Sequence, residues 1–334
     1  MRPQVVQIVG NNSVGGIKST INSLVNSELG KEFEFSILSI NDEKPNLKSL
    51  HLHPNVIMCS QASRFKGLPN LVLLKLLNPH AKIIIREHHY SQGYEQYQVS
   101  GLHRFHLMLK LNYSLADRVV AVSQAQAEWM LRNHLVSPNQ LIVIRQCVVL
   151  KDLLNIAVKP IETPFILATY GRFNFQKGFD ILLQAMKLIP HLPIRLRIGG
   201  EGPQIEELKQ LAQGLENIEF VGCVDDVPKF LQASDVVVIP SRWEPWGNVC
   251  LEAKAAGKPV IASNVDGLTE QVQNCGLLIP PNNPEVLAEA IEQVVSLPQT
   301  QLQTWGSNGR ESVRGAWDRY LSQWRTLLWE VLEK

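Results

Sequence analysis

The sequence predicts an α/β protein of two doubly wound, Rossmann-like domains that face a cleft, and three observations carry that prediction. Its 334 residues suit about two domains at roughly 150 residues each. Short runs rich in Val, Ile and Leu alternate with longer stretches of helical periodicity throughout the chain. The alternation pauses once, at residues 151–164, where Pro160 and Pro164 restrict a weakly periodic segment, and then begins again.

In the first half the strand candidates are residues 4–9, 33–40, 56–59, 82–86, 118–122 and 141–144. Most are almost uninterrupted in β-branched and aliphatic residues, as parallel strands covered on both faces must be. Between them, residues 20–29 and 123–134 place apolar side chains at helical spacing. The second half repeats the scheme with strands at 165–170, 194–199, 218–221, 236–239, 259–262 and 277–279, although no sequence repeat links the halves. Residues 306–334 read as one long helical stretch. Trp317, Tyr320, Trp324 and Trp329, at spacings of 3, 4 and 5, fall mostly on one face, as an aromatic stripe against a core does. The expected domains are therefore 1–158 and 159–310, with a terminal helix at 311–334.

Composition excludes several classes. Lys+Arg at 32 against Asp+Glu at 31 gives a net charge of +1, so a general nucleic-acid binder is not expected. No apolar run approaches the roughly 20 residues of a membrane span. The opening MRPQVVQIVG reads as a strand rather than a signal peptide. Five scattered cysteines without a CxxC pair argue for a reducing compartment and against a disulfide framework or zinc site. A cytoplasmic protein is expected.

In open α/β sheets ligands bind beyond the C-terminal ends of strands, at helix N-termini, and residues with chemistry do follow the strands. After the first comes GNNSVGGIKST, Gly10 to Thr20. Gly10 and Gly15 have the separation of a P-loop, but Gly16 and Ile17 take the next two places and Lys18 arrives two residues late. A Gly-rich turn with the amides of Gly15 and Gly16 facing an anion fits better, a purely structural turn being the alternative. After the fourth strand stands Arg86-Glu87-His88-His89-Tyr90, read either as an acid/base or positioning group or as a surface loop with solvated histidines.

In the second domain Gly171 and Gly178 let a loop bend so that Arg172 and Lys177 meet beside a helix starting near Asp180, a pair of cations suited to a diphosphate. Gly199-Gly200-Glu201-Gly202-Pro203 and Phe220-Val221-Gly222-Cys223-Val224 follow the next two strands. The most informative stretch runs from Pro240 to Ser263. There a strand delivers Glu244 into a loop, and Gly247 opens a helix whose first N–H groups, near Gly247, Asn248 and Val249, can hold phosphate oxygens. Glu252 lies about a turn and a half further along, where a carboxylate can meet a hydroxyl-rich group such as a ribose. Two carboxylates eight positions apart around a helix N-terminus suit a diphosphate with a sugar at each end.

These residues resemble the retaining glycosyltransferases of the GT-B fold, glycosyltransferase family four (glycosyl transferases group 1). Glu244 to Glu252 looks like that family's E-x7-E signature. The surrounding Pro240-Ser241, Glu244-Pro245-Trp246-Gly247 and Ala256-Gly257-Lys258-Pro259-Val260-Ile261-Ala262 are similar to its pattern. Gly171-Arg172 with Lys177-Gly178, Gly200 to Pro203 and Gly15-Gly16 occur in the family's order. The resemblance implies two domains across a cleft, the first binding the acceptor and the second the nucleotide-sugar donor, and a C-terminal helix crossing back to the first. It implies that Arg172 and Lys177 stabilise the departing diphosphate and that Glu244 faces the donor sugar. Gly171, Gly200, Gly202, Val224, Gly247, Asn248 and Val249 would line the donor site, Glu252 would bind the ribose, and Gly15 and Gly16 would approach the phosphates. His88, or His89 as the alternative, would sit near the anomeric carbon. Asp266-Gly267 departs from the family, where Gly-Gly is common.

The chain contains no DxD motif, so no metal and no cofactor beyond the donor are expected. The acceptor would be a sugar or lipid-linked sugar, in polysaccharide, glycolipid or other glycoconjugate synthesis. His103, Arg104, His106 and Lys110 read as a solvated helix face, with weak peripheral contact with an anionic membrane surface as the alternative. The rival readings are a nucleotide hydrolase, a nucleotide-sugar epimerase and a non-catalytic nucleotide-sugar-binding protein.

Overall fold

The computed structural model describes residues 1–10, 22–40 and 52–333. Gly15, Gly16 and Lys18 lie outside the described residues. The chain divides into two compact units, Met1–Val149 with Ala316–Lys334, and Leu150–Gly315. The division falls at Val149 rather than at 158 because the segment after it packs on the second unit. There the carbonyl of Ile156 accepts a hydrogen bond from Arg310.

The first unit holds β1 (Gln4–Gly10), β2 (Glu34–Ile40), β3 (Val56–Cys59), β4 (Lys82–Glu87), β5 (Arg118–Ala121) and β6 (Leu141–Val143). Every pairing is parallel, in the order β2-β1-β3-β4-β5-β6. Alternate residues of four strands, Val6 and Ile8, Ile57 and Cys59, Ile83 and Ile85, Val119 and Ala121, enter one buried cluster. The same cluster takes Leu71 and Leu74 from helix Leu68–Leu77, Leu109 from helix Leu102–Tyr113, and Trp129 from helix Gln124–Arg132. These three helices therefore share one face of the sheet. Ser91 and Ser123 cap helices Gln92–Gln98 and Gln124–Arg132 by accepting from backbone N–H groups three residues on.

The terminal aromatic stretch is two helices rather than one. Gln299–Val313 ends at Arg314-Gly315, and Ala316–Glu333 follows after the break. The earlier helix stays with the second unit because Arg310 donates to the carbonyls of Ala255 and Ala256. The later one belongs to the first unit. Its Tyr320 and Trp324 are fully buried, with the guanidinium of buried Arg86 lying 5.9 and 5.7 Å from their ring centroids. Arg325 pairs with Glu32 and Arg118 with Glu330 at 2.7 Å each.

The second unit holds β7 (Phe165–Tyr170), β8 (Ile194–Gly199), β9 (Ile218–Gly222), β10 (Val236–Ile239), β11 (Val260–Ser263) and β12 (Gly276–Ile279). Its order is β12-β11-β10-β7-β8-β9, all parallel. The chain runs outward from β7 to β9, then returns to β10 on the other side of β7 and runs outward again. The two crossover directions diverge between β7 and β10, and the crevice they leave lies at the C-terminal ends of those strands.

Trp324 contributes a large side chain at 0% exposure to the seam between the last helix and the first sheet. Trp324→Ala is expected to lower stability by about 3–5 kcal/mol, read as a shifted urea midpoint.

Candidate functional site

The loops that leave β7 and β10 meet at the strand-order reversal of the second unit. After Tyr170 the chain passes through Gly171 and exposed Arg172 into a 3₁₀ turn, Phe175–Lys177, capped by the side chain of Asn174. Gly178 then begins helix Phe179–Leu188 with φ 65°. A Cβ there would stand 2.1 Å from the carbonyl oxygen of Pro240, so only glycine lets the two loops touch.

A buried arginine locks the same two loops together. Arg242 forms a bidentate pair with Asp180, at 2.9 and 2.6 Å, and donates to the carbonyl of Phe175 and the side chain of Asn282. Its guanidinium lies 4.0 Å from the centroid of the Phe175 ring. Gln176 accepts from the Arg242 N–H and donates to the carbonyl of Trp243. All three guanidinium nitrogens donate to planar acceptors, an arrangement a lysine could not reproduce.

This frame brings Lys177 to Glu244, with Nζ 2.5 Å from Oε2. Ser241 donates to the same oxygen at 3.3 Å. The backbone of Glu244 is fixed on both sides, since its N–H donates to the Asp266 carboxylate and its carbonyl accepts from Gly267. Asp266 holds φ 40°, in the left-handed region that Asp tolerates better than most side chains. The departure from Gly-Gly thus leaves the turn intact and adds a carboxylate that holds Glu244.

Gly247, at φ 100°, precedes helix Asn248–Ala255. No side chain caps that helix start, and Cys250 and Leu251 donate to the Gly247 carbonyl. The amides of Asn248 and Val249 precede the first intrahelical bonds and carry the positive end of the helix. Within this helix Glu252 accepts a 2.5 Å hydrogen bond from Tyr170 at the end of β7. Burial pushes its carboxyl up to about 7, against the opposing effects of Tyr170 and the Lys177 charge.

The remaining sequence-nominated residues of this unit stand along the same sheet edge. Gly200 and Gly202 follow β8, where the carbonyl of Gly171 and the backbone of Phe173 leave no space for a side chain. Val224, after β9, leans over Gly199. Gly171, Lys177, Gly200, Gly202, Glu244, Gly247, Asn248, Val249 and Glu252 thus surround the ends of β7, β8 and β10. The sequence reading missed Arg242, Asp180 and Tyr170, whose partners are distant in the chain. Among the described residues no group of three His, Cys, Asp or Glu side chains is placed to hold a metal ion.

His88 belongs to the first unit, just after β4. Its Nδ1 lies 3.2 Å from the Arg86 carbonyl, which can only accept, so Nδ1 carries the proton. Its Nε2 is buried and has no hydrogen-bond partner among the described residues. Burial, with the neighbouring His89 and Arg86, holds the imidazole well below its usual range. Glu87 is turned inward, accepting from the backbone of His89 and Tyr90 and from the Tyr113 hydroxyl. Burial raises it to about 7. Of this pair, Glu87 organises the turn and His88 offers a neutral acceptor nitrogen.

Residues 154–312 match the family model described as glycosyl transferases group 1. The chain is 34% identical over 167 residues to a lipopolysaccharide core biosynthesis glycosyltransferase of Rhizobium meliloti, covering 48% of this chain and 47% of that protein. Alignments with the first curated relatives reach about a third to a half of those proteins' length. Among solved structures, sucrose-phosphate synthase from Thermosynechococcus elongatus superposes with a TM-score of 0.83 at 23% identity, over 99% of this chain and 100% of that one. Anabaena HepE in complex with UDP-glucose gives 0.76 at 19%, over 99% and 100%.

Glu87 and Glu252 both hold protons in the folded state well above the carboxylate value of 4.5. These two carboxyls therefore contribute stability that is lost as pH rises from about 4.5 to 7, while His88 and His89, held below 6.5 chiefly by burial, act in the opposite sense below that value. Thermal melts from pH 5 to 8 are expected to show the Tm of Glu87→Gln rising relative to that of the parent as pH rises, because only the parent loses the Glu87 contribution in that window.

Proposed function

From the match of residues 154–312 to the glycosyl transferases group 1 model, we propose that the chain moves a glycosyl group from a nucleotide-diphosphate donor to a hydroxyl acceptor, with retention of configuration and without a metal ion. The observation that carries the reading is the crowding of Lys177, Glu244, Glu252 and one uncapped helix N-terminus at the crevice between β7 and β10.

Each part has a task set by its chemistry. The bond from the anomeric carbon to the diphosphate oxygen breaks while a bond to the acceptor oxygen forms on the same face. The acceptor's proton passes to the departing diphosphate. Negative charge grows on the phosphate oxygens as the sugar becomes oxocarbenium-like. Lys177, Arg172 and the amides of Asn248 and Val249 stabilise that charge because they are fixed before it appears. Glu244, held by Asp266 and Gly267, faces the donor sugar and keeps Lys177 in place. Tyr170 occupies one oxygen of Glu252, and the other accepts a hydrogen bond from a ribose hydroxyl. His88, neutral with Nε2 available, has the chemistry to accept from a sugar hydroxyl. Gly15 and Gly16 remain candidates for contact with the phosphates. The relative from Rhizobium meliloti supports a sugar or lipid-linked sugar acceptor in glycoconjugate synthesis, and HepE makes UDP-sugars the first donors to try.

A thermal-shift panel of UDP, GDP, ADP and their sugars tests the nucleotide site. One base is expected to raise Tm by mass action and to lose most of that effect in Glu252→Ala. With that donor, Lys177→Ala is expected to lower kcat by roughly 100-fold or more, and EDTA to leave turnover unchanged. No stabilisation by any nucleotide, or full activity in Lys177→Ala, overturns the reading. NMR of the first-formed product tests retention.

A further inference from the structure

Helices Leu68–Leu77 and Leu102–Tyr113 lie on the same face of the first sheet and bury Leu71, Leu74, Met108 and Leu109 against it. They also touch each other's surroundings: Lys75 donates to the carbonyl of Leu115, and the Arg104 guanidinium covers the Phe65 ring. Their outer faces therefore form one continuous surface, and it is not the polar surface expected of two helices facing water. Leu76 is 71% exposed and Leu107 53%, with Val72, Leu102 and Leu111 also exposed. An apolar group of that kind, on paired helices, marks an interaction surface more often than scattered single leucines do.

The charges carried by these two helices and the segments flanking them are of one sign. No Asp or Glu occurs between Glu43 and Glu87, nor between Glu95 and Asp117, whereas these stretches carry Arg64, Lys66, Lys75, Lys82, Arg104 and Lys110. The carboxylates that bound the second stretch are occupied locally. Glu95 accepts from His106 and from the Trp129 indole, and Asp117 accepts from the Ile83 N–H. His106 is thereby turned away from the surface and drops out of the cationic set, while His103 stays exposed. Leucines among cations without carboxylates match a lipid surface. The apolar side chains can enter the boundary between headgroups and acyl chains, while the cations meet anionic headgroups.

We propose that this face, made by the exposed leucines of helices Leu68–Leu77 and Leu102–Tyr113 and their rim of Lys and Arg, seats the protein on an anionic membrane. No described helix is long and apolar enough to cross a bilayer, so attachment is peripheral. The proposal does not rest on glycosyl transfer, and its test needs no donor or acceptor.

The test is sedimentation of the full chain with phosphatidylcholine vesicles, with and without about one-third phosphatidylglycerol. Binding is expected to the anionic vesicles, falling at high salt and by at least about tenfold in Leu107→Glu/Leu111→Glu. A Lys66→Glu/Lys110→Glu variant is expected to lose about fivefold per charge or more. Leu188→Glu, at an exposed leucine of the second unit, is expected to bind as the parent does, and far-ultraviolet circular dichroism of all variants reports folding. Absence of binding, equal binding to neutral vesicles, or unchanged binding by the folded Leu107→Glu/Leu111→Glu variant overturns the proposal. So does sedimentation equilibrium showing a dimer that the same variant dissociates, since a second copy would then cover the face.

Discussion

The candidate site depends on a single constraint, the ion pair between Arg242 and Asp180. Strand order alone brings the ends of β7 and β10 together, but it leaves two irregular connections, a turn and a loop, to find a common geometry. Arg242, itself on the loop after β10, settles it through its guanidinium, which binds Asp180 and the Phe175 carbonyl from the connection after β7 and Asn282 from the one after β12. A buried pair of this kind is a weak source of net stability, because desolvating both charges offsets much of their attraction. Its value lies in direction. Removing one partner would leave the other charge buried, so loop arrangements that separate them are strongly disfavoured.

The positions of Lys177 and Glu244 follow from that frame. Both sit one or two residues from the clamped atoms, and their 2.5 Å contact is between side chains whose backbones have little freedom left. Glu244 is held again from β11 by Asp266 and Gly267. For the proposed transfer such preorganisation matters, because a cation that must move toward a forming anion loses part of what it contributes to the barrier. Glu252 is treated differently. It takes its partner, Tyr170, from the adjoining strand and is desolvated enough to hold a proton near neutrality. The two acidic side chains of one short helix region thus have distinct environments, one beside a cation and one beside a phenol.

Much of this was legible in the chain. Parallel strands covered on both faces need uninterrupted apolar runs, and all twelve candidate runs have a strand counterpart among the described residues. The residues after β7, β8 and β10 stood out because glycine and charge beside a strand end mark places where backbone approaches backbone. Arg242 and Asp180 did not, being 62 positions apart, and neither did Tyr170 with Glu252 at 82. Pairwise contacts across a sheet edge have no local sequence period. The break at Arg314-Gly315 was hidden for the opposite reason, since helical periodicity continues on both sides of it. Asp266 looked like a defect in a glycine turn because its tolerance of a left-handed backbone and its reach to the Glu244 N–H both depend on the fold.

The turn after β4 shows why residue type alone divides roles poorly. Glu87 and His88 form, on paper, an acid/base couple. In the fold the carboxyl accepts three hydrogen bonds and faces inward, which makes it the keystone of the turn rather than a group that meets substrate. Its neighbour has the complementary fate. With Nδ1 committed to the Arg86 carbonyl, His88 keeps one nitrogen lone pair, and the buried cation of Arg86 two residues back opposes protonation there. A neutral acceptor in that position can orient a hydroxyl without drawing a proton from it. Arg86 in turn stays buried without a carboxylate partner among the described residues because Tyr320 and Trp324 of the last helix cover it with aromatic faces. The C-terminal helix thus packs on a cation that adds to burial and His89 in keeping His88 neutral.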